Sequence, residues 1–173
     1  SHFLEKSAEN GIEIFRTFDA LNDFENIDFT IREVKRIGKH AQGTIAYTTS
    51  PVHDLNTWLD LAKKIEDAGA DSLAIKDMAG LLRPFDAYEL VKNLKSTLSI
   101  PIHMQTHATT GMSTATNMKA IEAGIDNIDT SISSLSMTYG HTATETVLAI
   151  FENQEREIDL DLSALEEVSI FFK

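Results

Sequence analysis

The chain has 173 residues, enough for one domain that buries roughly 70% of the surface of its unfolded chain. Hydrophobic residues make up 42% of it, an ordinary share for a globular protein. Its formal charge of −12 disfavours binding to nucleic acid or to anionic membranes. Cysteine is absent, which excludes disulfide bonds and favours a cytoplasmic location, and neither a membrane-spanning apolar run nor a signal-peptide pattern is present.

Short apolar segments alternate with longer helical patterns along the chain. The near-continuous apolar or β-branched segments are typical of buried parallel strands, and they predict strands over residues 12–19, 43–49, 72–77, 100–106 and 127–131. The helical patterns predict helices over residues 23–39, 54–68, 84–96, 112–123 and 143–154. A further apolar helix is predicted over residues 162–172, and its partner is expected outside this chain.

Repeated strand–helix units predict a parallel α/β fold, either an open doubly wound sheet or a (β/α)₈ barrel of the TIM type. No GxGxxG fingerprint follows any strand, which weighs against a dinucleotide-binding sheet. Only five units are recognisable, whereas a full barrel has eight. We therefore predict a TIM-type repeat truncated to about five βα units over residues 1–154, followed by a linker and a helix over residues 155–173.

Lys76 lies at the end of the third predicted strand, in IKDMAG. A lysine inside a barrel mouth is poorly solvated, which lowers its pKa and favours the neutral amine. That amine can form a Schiff base, or it can add carbon dioxide to give a carbamate that binds metal. The alternative is a surface lysine paired with Asp77.

A cluster of imidazoles ends the fourth predicted strand. Residues two apart on a strand share a face, so His103, Gln105 and His107 are expected to point the same way. Two imidazoles on one face suit Zn²⁺, Mn²⁺ or Co²⁺. The alternative is one structural histidine and one loop histidine.

Arg16 and Asp19 flank the end of the first predicted strand. The fork of donors on an interior arginine can bind a carboxylate substrate. An Arg16–Asp19 ion pair at the barrel rim is the alternative.

The hydroxyl-rich loop 133–141 follows the last predicted strand. It either positions a substrate or is a solvated turn.

Five segments together resemble the biotin-dependent carboxyltransferase family over about residues 3–155: FRTFDALND, QGTIAYTTSPVH, SLAIKDMAGLL, PIHMQTHATTGMSTA and NIDTSISSLSMTYGHTATE. This family includes the oxaloacetate decarboxylase alpha subunit, pyruvate carboxylase subunits or domains, and a transcarboxylase subunit. The SMTYGH loop resembles the first two types most.

The resemblance implies a TIM barrel that moves a carboxyl group between biotin and pyruvate or oxaloacetate. It implies a divalent metal, Zn²⁺ or alternatively Mn²⁺ or Co²⁺, at the barrel mouth. Lys76 matches the carbamylated lysine ligand, His107 matches a histidine ligand, and Thr138 matches a threonine that passes a proton between biotin and the pyruvate enolate. No AMKM-like biotin-acceptor motif occurs, so biotin is expected on a separate carrier domain. A homo-oligomer is expected, with a membrane involved only through partner subunits.

Two departures from the family pattern bear on activity. Gln105 occupies the position of the second histidine ligand and is a poorer ligand for Zn²⁺, with His103 as a substitute one pleat deeper. Three leading βα units, which carry a metal-binding aspartate in the family, are absent. The chain is thus predicted to be an enzyme fragment that needs the missing N-terminal part of the barrel. The alternatives are a non-catalytic fragment or paralogue that only associates, and a related metal-dependent lyase or synthase acting on acyl-CoA.

Overall fold

The computed structural model describes residues 2–154 and 158–173. Within these ranges the strands are β1 (Ile14–Thr17), β2 (His40–Ala46), β3 (Ser72–Asp77), β4 (Ile102–Thr106) and β5 (Asn127–Ile128). The helices are α1 (His2–Glu9), α2 (Phe24–Arg36), α3 (Leu55–Asp67), α4 (Pro84–Thr97), α5 (Ser113–Glu122), α6 (Thr144–Phe151) and α7 (Leu162–Phe171). A short 3₁₀ turn, Ser133–Leu135, lies between β5 and α6.

The five described strands form one parallel sheet in the order β1-β2-β3-β4-β5. Spatial order follows chain order without the reversal that defines a doubly wound sheet. A flat sheet would hold its two edge strands about 19 Å apart, because neighbouring strands lie ~4.8 Å apart. Yet Arg16 in β1 lies 2.6 Å from Asp129, which follows β5. The sheet is therefore strongly curved, as the predicted TIM-type repeat requires.

The core lies between the convex face of this sheet and the helices. Alternate strand residues such as Ile45, Leu73, Ile75, Ile102 and Met104 are fully buried there, because side chains alternate between the two faces of a strand. The intervening positions face the concave side, which carries polar and ionisable groups. The fold thus separates an apolar core from a polar interior that faces the barrel axis.

Three aspartates begin helices where the sequence places them. The carboxylates of Asp23, Asp54 and Asp161 accept hydrogen bonds from backbone N–H groups in the first turns of α2, α3 and α7. Each cap satisfies donors that have no partner inside the helix, a contribution of about 1 kcal/mol. The predicted helix starts are confirmed at these points.

Strand bounds differ more from the prediction. The second strand was predicted to start at residue 43, but β2 starts at His40. His40 and Gln42 were missed because they are polar and the strands were predicted from apolar runs. Both side chains bond to Ser72 on the concave side of the sheet. Only Asn127 and Ile128 of the fifth predicted strand join the ladder, and α1 was not predicted at all.

Helix α7 confirms the predicted C-terminal helix. It contacts the rest of the fold through a hydrogen bond of 2.8 Å between the hydroxyls of Ser169 and Ser133. Ile170 and Phe171 are exposed, and a partner for this apolar face outside the chain stays a prediction. The predicted boundary at residues 154/155 adjoins residues 155–157, which lie outside the described ranges, and the division into two parts stays a prediction. In the described part of the chain, no helix combines the length and apolar character needed to span a membrane.

Replacing Gly43 by alanine is expected to destabilise the fold by about 1–3 kcal/mol, as overpacking of a core does. A Cβ at this position would lie 2.3 Å from Cγ2 of Ile65 and 3.3 Å from Cδ1 of Ile31. Denaturant unfolding measures the loss. Leucine at position 65 has no branch at Cβ, so Gly43→Ala should cost less in an Ile65→Leu background. An equal cost in both backgrounds would contradict this account.

Candidate active site

The carboxyl ends of the strands bring the predicted site residues to one edge of the sheet. The register pairs Lys76 of β3 with Gln105 of β4 on the concave side. His107 directly follows β4, and its backbone N–H bonds to the carbonyl of Asp77. Residues separated by about thirty positions in the sequence therefore become neighbours at the barrel mouth.

Lys76 is half-buried, and its Nζ lies 4.6 Å from the centroid of the Phe18 ring. Burial and the nearby Arg16 guanidinium lower the pKa of the Lys76 amine, an effect that Asp129 opposes. No hydrogen bond or ion pair to the Lys76 amine occurs within residues 2–154 and 158–173. A neutral, unpaired amine is the form that adds carbon dioxide or attacks a carbonyl.

The alternative pairing of Lys76 with Asp77 is not formed. Asp77 points to the other face, where it is fully buried and accepts hydrogen bonds from the backbone N–H groups of Leu81 and Leu82 and from the Thr106 hydroxyl. Asp77 thus fixes the β3–α4 loop to β4. Asp77 therefore stabilises the loop and does not pair with the Lys76 amine.

Two imidazoles meet at the end of β4. The ring centroids of His107 and His141 are 4.4 Å apart, with the planes inclined by 40°. Nδ1 of His107 bonds to the Tyr139 carbonyl at 2.8 Å, and Nδ1 of His141 bonds to the Thr106 carbonyl at 3.0 Å. Because a carbonyl can only accept, each Nδ1 carries a proton, and Nε2 is the nitrogen of each ring that is left to bind a ligand.

Gln105 and His103, the other predicted members of this cluster, have different surroundings. Oε1 of Gln105 is buried and has no hydrogen-bond partner among the described residues. His103, in contrast, uses Nε2 to bond Asp129 at 2.5 Å. The amide oxygen is free to accept a cation or a donor, whereas the His103 nitrogen is already engaged.

Arg16 belongs to a polar network that crosses the concave face. Its Nε donates to Gln42 at 2.5 Å, and its Nη1 and Nη2 lie 2.6 and 3.5 Å from the Asp129 carboxylate. Gln42 and His40 in turn bond to Ser72 at 3.0 and 2.7 Å. The alternative Arg16–Asp19 ion pair is therefore wrong. Arg16 pairs with Asp129, which follows β5 and lies more than a hundred residues away in the sequence.

Asp19 instead holds its own loop. Its carboxylate accepts hydrogen bonds from the backbone N–H groups of Leu21 and Asp23 and from the side-chain amide of Asn26. These bonds hold the pKa of Asp19 below its usual range. The side chain thus fixes the turn between β1 and α2.

The Asp129 carboxylate is the electrostatic centre of the concave face. Burial would raise its pKa, but the hydrogen bonds from His103 and Arg16 hold it well below the usual range of a carboxyl. The group therefore stays ionised at neutral pH. An ionised acid here fixes both the guanidinium and the His103 ring.

Thr138 lies in the loop between the 3₁₀ turn and α6. The backbone of Met137 and Thr138 has φ values of 59° and 49°, a region that non-glycine residues adopt only where the surroundings impose it. Gly140 closes the same turn, since a Cβ there would lie 2.4 Å from the Leu135 carbonyl oxygen. The strained turn carries the exposed Thr138 directly before Tyr139, whose carbonyl contacts His107.

The donors at the mouth fit a divalent metal only in part. Among the described residues, no three His, Asp or Glu side chains form a group that could hold a metal ion. An unpartnered amide oxygen on Gln105 and a free Nε2 on His107 are nevertheless metal donors. With a carboxylate-like group on Lys76, these residues can contribute part of a coordination shell.

A sequence model of the HMGL-like family matches residues 8–171. The chain belongs to the HMGL-like family. As a member of that family it is 47% identical over 173 residues to the methylmalonyl-CoA carboxyltransferase 5S subunit of Propionibacterium freudenreichii subsp. shermanii, covering 99% of this chain and 34% of that protein. It is 45% identical over 170 residues to a pyruvate carboxylase subunit of Methanocaldococcus jannaschii, covering 98% of this chain and 30% of that protein.

This HMGL-like chain also resembles solved structures. The carboxyl transferase domain of Rhizobium etli pyruvate carboxylase with pyruvate and biocytin matches with a TM-score of 0.96 and 34% identity, covering 99% of this chain and 30% of that one. The resemblance to carboxyltransferases and the TIM-type fold are both confirmed. The chain spans about a third of the length of the two curated relatives.

Sequence reasoning did not single out three residues of this site: Asp129, Gln42 and His141. An acid inside the fifth predicted strand, in NIDTS, was the available signal for Asp129. Gln42 precedes the predicted start of its strand, and His141 appeared only as the last residue of a hydroxyl-rich loop. Their roles depend on contacts between distant parts of the chain.

Proposed function

We propose that this chain forms the C-terminal part of a carboxyltransferase barrel that moves a carboxyl group between biotin and pyruvate or oxaloacetate. The observation that carries the proposal is the half-buried, unpaired Lys76 amine beside the unpartnered Gln105 oxygen and the free Nε2 of His107. The relatives named above, which are carboxylases and a carboxyltransferase, support the same reaction class.

Arg16 is suited to bind the carboxylate of the keto acid. Its bonds to Gln42 and Asp129 engage three of the five N–H donors of a guanidinium. The other two are available to a substrate carboxylate on the concave face. Asp129 keeps the guanidinium in place. Asp19, which holds the adjoining loop, is the second candidate for contact with the substrate.

Lys76, as a carbamate, and His107 would hold a divalent metal, with Gln105 as a weak ligand. His103 is less suitable as a ligand because its Nε2 already bonds to Asp129. When bound, such a metal supplies Lewis-acid polarisation of the substrate carbonyl. Zn²⁺ is the first candidate, with Mn²⁺ and Co²⁺ as alternatives.

Thr138 would move the proton. When oxaloacetate loses its carboxyl group, the C–C bond breaks, the carboxyl carbon bonds to a ring nitrogen of biotin, and the proton of that nitrogen must reach the enolate carbon of pyruvate. A hydroxyl that both donates and accepts can pass this proton. The exposure of Thr138, in the loop that also carries His141, supports this role.

The partners follow from the part of the barrel that this chain forms. β1 and β5 are its two edge strands, which in a closed barrel would pair with further strands. We assign that role to the N-terminal part of the barrel, in the same protein or in a second chain. Biotin would arrive on a separate carrier domain, and the assembly would be a homo-oligomer with any membrane contact made by partner subunits.

The test is an assay of the full-length polypeptide with oxaloacetate, free biotin and a divalent metal. Pyruvate formation that depends on biotin is expected. Cleavage or condensation of an acyl-CoA without any biotin dependence would replace this proposal with the lyase or synthase alternative. Binding to an N-terminal barrel fragment without activity in the reconstituted complex would support a chain that only associates.

A further inference from the structure

Resting on the proposed function, we infer that His141 supplies the second imidazole of the metal site, in place of the imidazole missing at Gln105. The inference concerns a residue from the last loop of the described barrel, not from β4. It rests on the geometry of the His107–His141 pair and on the hydrogen bonds that fix each ring.

The two rings are oriented by reciprocal contacts between the same two segments. His107, at the end of β4, bonds through Nδ1 to the carbonyl of Tyr139 in the loop, while His141, in the loop, bonds through Nδ1 to the carbonyl of Thr106 in β4. A carbonyl partner on Nδ1 is the arrangement that fixes the tautomer of metal-binding histidines. Neither Nε2 atom makes a hydrogen bond within the described part of the chain.

The backbone around His141 is also held in place. Its N–H bonds to the Ser131 hydroxyl at 3.3 Å, and its carbonyl accepts from the Met137 N–H at 2.8 Å. The next residue, Thr142, is fully buried and bonds to Ser113. The ring is therefore part of a fixed turn, which reduces the entropy lost when it binds an ion.

The separation of the rings permits one ion to bind both. A metal lies about 2.0–2.1 Å from a coordinating imidazole nitrogen. Ring centroids 4.4 Å apart, with the planes inclined by 40°, place the two imidazoles in contact, and the inference requires both Nε2 atoms to turn toward one ion. His103 is a weaker candidate for this role because its Nε2 is taken by Asp129.

The test is Co²⁺ binding by the full-length polypeptide, followed by calorimetry and by the visible absorption of the bound ion. His141→Asn is the informative variant, because asparagine can still donate to the Thr106 carbonyl but has no nitrogen at the Nε2 position. It should weaken Co²⁺ binding more than about 100-fold, beyond the roughly 10–100-fold that loss of an orienting contact costs. His2→Asn, which replaces an exposed histidine at the start of α1, is the control and should leave the affinity and spectrum unchanged.

Gln105→His supplies the decisive comparison. If His141 replaces the missing imidazole, the loss of Co²⁺ affinity caused by His141→Asn should be at least about tenfold smaller in a Gln105→His background. The visible spectrum of bound Co²⁺ should also change, because the histidine at position 105 becomes a ligand. An undiminished defect, or Co²⁺ binding unaffected by His141→Asn, would overturn the inference while leaving the proposed function intact. Absence of Co²⁺ binding by the unaltered protein would overturn both.

Discussion

Replacing Lys76 by glutamine is expected to abolish carboxyl transfer in the full-length protein, with a loss of at least about 10³-fold. Glutamine removes the amine and cannot form a carbamate, so a metal donor is lost at the centre of the site. Several kcal/mol of transition-state stabilisation normally depend on such a metal, and each 1.36 kcal/mol is about tenfold in rate. Steady-state measurement of pyruvate formed from oxaloacetate checks the result.

The matched control for this change is Lys92→Gln. Lys92 is an exposed lysine on α4, outside the concave face. Its replacement should leave kcat and KM unchanged, and both variants should show the unfolding transition of the unaltered protein. A Lys76→Gln variant that retains activity within tenfold would exclude a carbamate or Schiff base at this position.

Replacing Asp129 by asparagine is expected to destabilise the fold by about 2–4 kcal/mol, because it leaves the Arg16 guanidinium and the His103 ring without their carboxylate in a partly buried place. Both side chains of the Arg16–Asp129 pair are about three-quarters buried, so the expected loss lies toward the lower end of the range for buried pairs. Denaturant unfolding at neutral pH measures it. Asp28→Asn, which removes a surface pair with Arg32, should cost no more than about 0.5 kcal/mol.

The pH dependence of this effect has a defined sign. The folded-state pKa of Asp129 is held below its unfolded value, so the carboxylate stabilises the fold fully above the unfolded pKa of about 3.9. Below that pH the unfolded chain takes up the proton first, and the stabilisation declines as the pH falls further. The difference in unfolding free energy between the unaltered protein and Asp129→Asn should therefore be smaller at pH 3 than at pH 5. A difference independent of pH down to pH 3 would contradict the assignment.

Much of the architecture was predictable because local signals coincide with the fold. The aspartate caps at Asp23 and Asp54 mark helix starts directly in the sequence, and the apolar runs around Leu73 and Ile102 mark buried strands. The position of Lys76 at the end of such a run placed it at the barrel mouth. The predicted strand bounds were less accurate where the residues facing the concave side are polar, as at His40 and Gln42.

The sequence by itself determined the order of strands and helices, the residues at the strand ends, and the substitution of Gln105 for an imidazole. Only the tertiary structure decided which of these groups meet: Arg16 with Asp129, His103 with the same acid, and His107 with His141. The physical reason is curvature. Local patterns specify which face of a strand a side chain occupies, but the bending of the whole sheet brings β1 to the chain beyond β5.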